Sequence, residues 1–340
     1  MMPLFAGDST VGDHGMTPLG WMSLQGQKAD KTDMHSMTAM RLSEGREGLV
    51  SRNEAKAFNY ARIYGSGKGL ARSMLRDCCK ELSEEEVQQR IDTMFDSTKG
   101  SQVFGMTKFG RHQAAMHGVD PRMQQITDAD LRELSSLTGY SPYQLANKRE
   151  PRYAGGSESA MFNRLEEIAR SDYPATPFLR SRITRSLEPS VITKSYQLNS
   201  RINWVVQSSA VDFLHLLLVA MKWLMKEYAI PGRFVISVHD EVRFHVPEEH
   251  KYEAALALQL SNLLTRAHFS TQLGIYDLPN NIAFFSGVDI DRSLRKSVSD
   301  ECITPSNIYG LGVTYGIEKG EELNIQQLLE KINSLKVGGK

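Results

Sequence analysis

Four side chains recur at a four-residue interval: Arg52, Lys56, Tyr60 and Tyr64. On a helix advancing ~100° per residue they trace one face, drifting by roughly 40° at each step. Two cations followed by two phenols make poor core and poor plain surface. The pattern suits a ligand with a polyanionic end and a flat aromatic end, which is the chemistry of a nucleoside triphosphate. A second set, His239, Asp240 and Glu241, sits between two β-rich runs at 234–238 and 242–246. Branched and aromatic residues in rough alternation predict paired strands, with the trio at their tight turn. Rigid strands would hold such side chains for metal or phosphate chemistry, although an ordinary polar hairpin tip reads the same way by itself.

The elements that must position these residues carry their own signals. Ser51 is a good N-cap with Glu54 three residues on, and glycines 65, 67 and 69 are expected to stop the helix. Upstream, Thr32 or Asp33 can cap a helix that carries His35 and ends near Gly45–Gly48. A lone histidine there reads first as a hydrogen-bonded surface residue. Residues 70–98 predict a helical continuation with a second capped start at Ser83. Residues 100–156 alternate Gly, Pro and polar clusters with one expected helix at 128–137, and another helix is expected at 157–171. A long helix over about 200–228, apolar around most of its circumference, should be mostly buried, with Asn203 and Gln207 four apart at its entrance. An amide pair in that place can simply cap or bridge its neighbours.

After the hairpin, an amphipathic helix is expected at 248–266 and a strand at 281–291. Asp289 and Asp291 share one face of that strand. Arg292, Arg295 and Lys296 nearby favour local ion pairs over a metal pair. The tail from Asn307 is polar and is expected to fray.

The 340 residues suffice for a sizeable core in two or three domains, and 40 basic residues balance 40 acidic ones. No global field therefore announces a nucleic-acid partner, but residues 41–80 hold nine basic side chains against four acidic ones. Residues 180–201 hold five against one. Such patches fit phosphate contact, though charged helix faces are commoner. Cys78, Cys79 and Cys302 match no disulfide framework or zinc spacing, which favours a reducing compartment. The longest apolar stretch is broken by Asp212, His215 and Lys222, so no membrane partner is expected.

Arg52-x3-Lys56-x3-Tyr60-x3-Tyr64-Gly65 followed by strand–His-Asp-Glu–strand resembles the family A DNA polymerases. Thr32-Asp-Met-His35-Ser-x-Thr38-Ala, Phe58-Asn-Tyr-x-Arg-Ile-Tyr-Gly65, Asn203-Trp-Val-Val-Gln-Ser-Ser-Ala-Val-Asp212 and Val288-Asp-Ile-Asp-Arg292 are similar to the mitochondrial branch of that family. The motifs occur in the family's order, from about Gly7 to about Pro305, with a looser middle. The phage-type RNA polymerases share the Arg…Lys…Tyr-Gly helix, but Glu241 and Tyr60 stand where they usually have Ser and Met. A non-catalytic DNA- or subunit-binding remnant is the alternative from another class.

The resemblance implies an α/β (α+β), mainly helical fold of palm and fingers, with an antiparallel palm hairpin carrying His-Asp-Glu. Residues 1–31 would be a remnant of the palm entry, 32–200 the fingers with an insertion at about 100–156, 201–305 the palm and 306–340 a tail. It implies template-directed DNA synthesis from dNTPs on primer–template DNA in mitochondria, with two Mg²⁺ ions and a possible accessory subunit. Asp240 would be a metal ligand with Glu241 beside it, and His239 would lie by the primer terminus. His35, Arg52 and Lys56 would contact the triphosphate, with Lys56 also assisting pyrophosphate departure. Tyr60 would sit against the sugar and Tyr64 would stack on a base. Asn203 and Gln207 would read the primer–template minor groove. The family often has an arginine where Asn199 stands, and Arg201, two residues before Asn203, is the candidate duplex contact instead. The family's other essential carboxylate lies on a strand before the Thr-Asp-x-His word, where only Asp8 and Asp13 occur, in wording similar to the segment after that strand. The chain is therefore expected to be a fragment that begins past the first catalytic aspartate and is nearly inactive alone.

Overall fold

The structure, a computed structural model, describes residues 17–120, 122–192, 197–238, 241–273 and 287–338. These fall into two units whose division lies at Ala210/Val211, inside one long helix.

In the first unit, local capping chemistry sets the helix starts. After α1 (Pro18–Leu24), Asp33 rather than Thr32 caps α2 (Met34–Ser43), accepting from the backbone N–H groups of His35 and Ser36. Ser51 and Glu54 form a complete capping box on α3 (Arg52–Ile63), and Ser83 and Glu86 form another on α5 (Glu84–Thr98). Gly65 ends α3 at φ +92°, where a Cβ would meet the Asn199 amide oxygen at 2.7 Å. Gly67 instead caps α4 (Lys68–Cys78), and Gly69 lies inside that helix rather than stopping one. The inward stripe of α3 (Ala55, Phe58) packs with Leu42 of α2, Leu75 of α4 and Ile91 and Phe95 of α5.

The segment expected to be an insertion with one helix builds a small core of its own. β1 (Ser101–Gly105) is the centre of an antiparallel sheet of order β2-β1-β3, with β2 (Gln125–Thr127) and β3 (Arg152–Ala154) at its edges. The helices α6 (Lys108–Met116), α7 (Asp128–Thr138) and α8 (Pro142–Leu145) cover it. Phe104, Ile126, Leu131, Leu134 and Leu145 are buried there. The expected helix at 128–137 is α7, and the sheet went unread. A third core joins Leu19 of α1, Ile63 of α3, Phe162 and Leu165 of α9 (Ser159–Arg170), and Ile202 and Val205 of α10 (Leu198–Glu227).

The second unit holds the rest of α10 and the hairpin β4 (Arg233–Val238) and β5 (Glu241–His245). It continues through α11 (Lys251–Leu273), β6 (Val288–Ile290), α12 (Gly310–Tyr315), β7 (Glu321–Leu323) and α13 (Ile325–Gly338). Met221 and Leu224 of α10 pack on Ala254 and Ala257 of α11, with Phe244 and Val246 against them. By length and composition α10 could cross a bilayer, and a third of its apolar window is buried within the fold. Val219 and Trp223 are more than half exposed, so the helix is less buried than its composition implied. The strand expected at 281–291 is confined to β6 among the described residues, and it pairs with β7. The tail does not fray where it was expected to. Leu328 of α13 is fully buried against α11, β6 and β7.

Glu321 holds that tail, accepting from Tyr252 Oη at 2.9 Å, from Lys251 Nζ at 3.2 Å and from Lys331. The Lys331 hydrogen bond, against burial and aided by Tyr252 and Lys251, pulls the Glu321 carboxyl down to about 2 from its ordinary 4.5. A depressed carboxylate contributes stability that is present above the unfolded value and lost as pH falls through the folded one. Acid titration from pH 4.5 to 2 should therefore release α13 from α11, and Glu321→Gln should flatten the stability profile over that window. Circular dichroism of the two proteins across the window checks this.

Deep in the first unit, Arg62 and Glu158 form an ion pair with side chains 2% and 3% exposed. Removing one partner strands the other charge in a dry site, at a cost of about 3–5 kcal/mol. Urea unfolding should show Arg62→Met or Glu158→Gln each losing that much, and Arg62→Met with Glu158→Leu losing markedly less than the sum.

Candidate functional site

The described site residues fall into two groups, one in each unit. In the first unit, α3 turns Ala55, Phe58, Asn59, Arg62 and Ile63 inward. Positions 52, 56 and 60 are thereby turned out. Tyr60 and Tyr64 stack with ring centroids 6.2 Å apart and planes 10° off parallel, Tyr64 being the C-cap residue rather than part of the helix. Lys56 Nζ lies 5.8 Å from the Tyr60 ring centre, and the His35 ring meets Tyr60 edge-on at 5.8 Å. Four of the five expected ligand contacts, His35, Lys56, Tyr60 and Tyr64, thus form one continuous surface.

Arg52 joins them with its charge already engaged. Its Nη2 and Nε bind the two Asp33 carboxylate oxygens at 2.9 and 3.3 Å. Burial raises the Asp33 carboxyl, but the hydrogen bonds from Arg52, Ser36 and the His35 backbone outweigh it and hold the group well below the usual carboxylate range. The same cap therefore starts α2, positions His35 two residues on and clamps Arg52. His35 is lowered from its ordinary value, by burial first and then by Arg52, with Asp33 opposing and Lys56 adding.

Behind this surface lies a buried polar chain that sequence reading missed. His35 Nδ1 is 3.2 Å from Asn59 Nδ2, Asn59 Oδ1 is 3.4 Å from Arg62 Nη2, and Arg62 reaches Glu158 and Thr98 Oγ1. A signal was present: Asn59 and Arg62 share the inward register of Phe58 and Ile63, where a polar residue needs a partner.

On the first turns of α10 the three expected duplex contacts differ. Arg201 spends its guanidinium on the backbone oxygens of Leu187 at 2.9 Å and Ile192 at 3.2 Å. Asn203 has a buried Oδ1 with no hydrogen-bond partner among the described residues. Gln207 is exposed.

In the second unit, Val238 pairs with Glu241 at the end of the hairpin, and the ladder shifts register between Phe234 and Ile236. His239 and Asp240 lie outside the described residues, as do Asp8 and Asp13. Glu241 opens strand β5 rather than sitting in the turn, and Arg243, two residues on and so on the same face, pairs with it at 3.0 Å. Asp291 pairs with Arg295 at 2.8 Å, in line with the ion-pair expectation, whereas Arg292 goes to Glu248. Asp289 departs from that expectation. It faces Glu322 across the ladder, and burial, then the charges of Glu322, Asp291 and Glu241, push its carboxyl up. Among the described residues no group of three metal-ligating side chains is placed to hold an ion.

The Asp33–Arg52 clamp is testable apart from any ligand. Asp33→Asn keeps a cap acceptor but removes the charge, and should cost about 1–2 kcal/mol as a partly buried charge-assisted pair. A double-mutant cycle with Arg52→Gln in urea unfolding should return most of that as coupling. Additive losses would show the two side chains to be independent.

Residues 145–274 match the family model for DNA polymerase family A. The chain is 45% identical over 326 residues to DNA polymerase subunit gamma-1 of Xenopus laevis, covering 94% of this chain and 26% of that protein. The same protein of Gallus gallus is 45% identical, with 94% and 49% covered. The mitochondrial DNA polymerase subunit gamma-1 of Drosophila melanogaster is 43% identical over 331 residues, with 94% and 27% covered. The chain thus spans between a quarter and a half of the length of these relatives. The resemblance to the family, read from four motifs, extends over nearly the whole chain.

Proposed function

On the premise of that resemblance to family A and to polymerase gamma within it, we propose that this chain carries nucleotide-binding and catalytic surface of a DNA-directed DNA polymerase. The reaction is nucleotidyl transfer from a dNTP to a primer 3′-OH on primer–template DNA, in mitochondrial DNA replication. The observation that carries this reading is the surface where the outward face of α3 meets α2: Lys56, the clamped Arg52, His35 of α2 and the stacked Tyr60 and Tyr64 adjoin there. The fingers at 32–200 and the palm at 201–305 belong to the same proposal.

Phosphoryl chemistry asks the protein for positioning and charge stabilisation more than for covalent help. Lys56 makes no ion pair among the described residues, and its ammonium is available to triphosphate oxygens. The Arg52 fork uses two donors on Asp33, which leaves others for phosphate and fixes their direction. Tyr60 and Tyr64 offer rings to the sugar and base. His239 would lie at the primer terminus, and Asn203 and Gln207 would meet the duplex minor groove. Arg201, committed to backbone oxygens, contributes by holding the 187–192 segment beside that face.

Family A polymerases use divalent metal ions. Asp240 is the proposed Mg²⁺ ligand, and a carboxylate is the hard oxygen donor that this ion takes. Glu241, engaged by Arg243, fits a supporting place better than a ligand's. Bound Mg²⁺ would neutralise phosphate charge during transfer. An accessory subunit is a further proposed partner.

A charge-assisted contact to phosphate is worth about 1.5–3 kcal/mol, or roughly ten- to a hundredfold in affinity. Calorimetry with dATP and Mg²⁺ should therefore show Lys56→Ala weakening binding by at least about tenfold, with the fold intact by circular dichroism. Binding that is absent in the unaltered chain, or untouched by Lys56→Ala and Arg52→Ala alike, would favour the non-catalytic reading.

A further inference from the structure

The polar chain behind His35 has a direction, and that direction fixes a proton. Arginine can only donate hydrogen bonds. Arg62 Nη2 lies 3.4 Å from Asn59 Oδ1, so that atom is the acceptor end of the amide. The nitrogen end then faces the other way, 3.0 Å from Thr38 Oγ1 and 3.2 Å from His35 Nδ1. Thr38 can accept there, because its own hydrogen goes to the Met34 carbonyl at 2.9 Å or to Asn59 Oδ1 at 3.1 Å. Both amide hydrogens are thereby used, and the one aimed at His35 requires a lone pair on Nδ1. Arg62 cannot turn to reverse the order, since Glu158 and Thr98 hold it, and Asn59 is fully buried. The imidazole proton is left at Nε2, which has no hydrogen-bond partner among the described residues.

We propose that Asn59 is a positioning residue that fixes His35 as the neutral Nε2–H tautomer, so that His35 offers a single uncharged N–H donor to a phosphate oxygen. The ligand in this statement rests on the nucleotide reading above, and the tautomer does not. A doubly protonated ring would aim Nδ1–H at the amide hydrogens of Asn59, a donor facing a donor. The groups around the ring act in the same sense: burial and the Arg52 and Lys56 charges oppose protonation, and only Asp33 favours it. The site then meets an anion with the ammonium of Lys56 and a neutral hydrogen bond from His35.

Long-range ¹H–¹⁵N correlation spectra of the full chain test this, with the His35 signals identified by their loss in His35→Gln. The expected result at pH 7 is an unprotonated Nδ1 and a protonated Nε2. A protonated Nδ1, or an even mixture of tautomers, overturns the proposal without need of a variant. Asn59→Asp supplies the reverse case: its carboxylate accepts, so the proton should move to Nδ1 and the His35 titration midpoint should rise by about one pH unit or more. A variant that folds but leaves tautomer and midpoint unchanged also overturns it, because a purely structural Asn59 would behave that way. Failure of the unaltered chain to bind dATP would sink the nucleotide reading and leave the tautomer result standing.

Discussion

The buried Arg62–Glu158 pair is the constraint on which the first unit depends. A guanidinium and a carboxylate taken out of water must find each other, because either left alone is strongly unfavourable. Arg62 sits near the end of α3 and Glu158 just before α9, 96 residues away, with Thr98 at the end of α5 as a third partner. Satisfying that pair fixes the rotation of α3 about its axis. Once Arg62 points in, the helical repeat sends Asn59 and Ala55 in with it and Lys56 and Tyr60 out. The outward stripe is the complement of this buried one, and a helix rotated by one residue would lose both.

The same economy operates at the start of α2. Asp33 accepts from the helix's own N–H groups and from Arg52 of α3, so one carboxylate joins a cap to a tertiary contact. Helix N-termini favour negative charge, which makes the ionised form doubly supported. The result is a cationic face whose charge is not diffuse. Arg52 is held at a known place, Lys56 makes no ion pair among the described residues, and the proposed tautomer would leave His35 uncharged between them.

The parts of this fold legible in the sequence are those whose causes are local. Ser51 with Glu54, Ser83 with Glu86, and the strand-like runs on either side of residue 240 each carry their signal within a few residues, and the corresponding elements lie where expected. Strands β1, β2 and β3 are three to five residues long, too short to show alternation, and pairing partners up to 53 residues away define them. α13 looked like a polar tail because the apolar side chains it buries, Leu328 and Ile332, are few, while its anchor Glu321 finds Lys251 and Tyr252 some seventy residues upstream. The stripe of α3 was legible because its chemistry faces solvent and repeats. The chain behind it was not, since the inward register of Asn59 and Arg62 asks for partners but does not name Glu158, 96 residues away. Asp289 was misjudged for a related reason: Arg295 goes to Asp291 and Arg292 to Glu248, and the ladder puts Glu322 opposite Asp289.

The clamped arginine decides how the outward face would share an anion's charge. Asp33 cancels most of the net charge of Arg52 at a distance, so the long-range attraction for a polyanion comes from Lys56. At contact range the order reverses. Lys56 is a flexible point charge, whereas Arg52, held by two bonds, presents its remaining N–H donors in a fixed plane. A flexible cation that attracts and a rigid fork that orients are separate tasks, and α3 assigns them to residues one turn apart. His35 adds a third donor whose direction is set by the buried amide behind it, and Tyr60, in contact with both His35 and Lys56, closes the polar end and begins the flat one. The outward surface is therefore ordered along the helix axis from charge to ring, and what keeps it in that order is the ion pair buried on the opposite side.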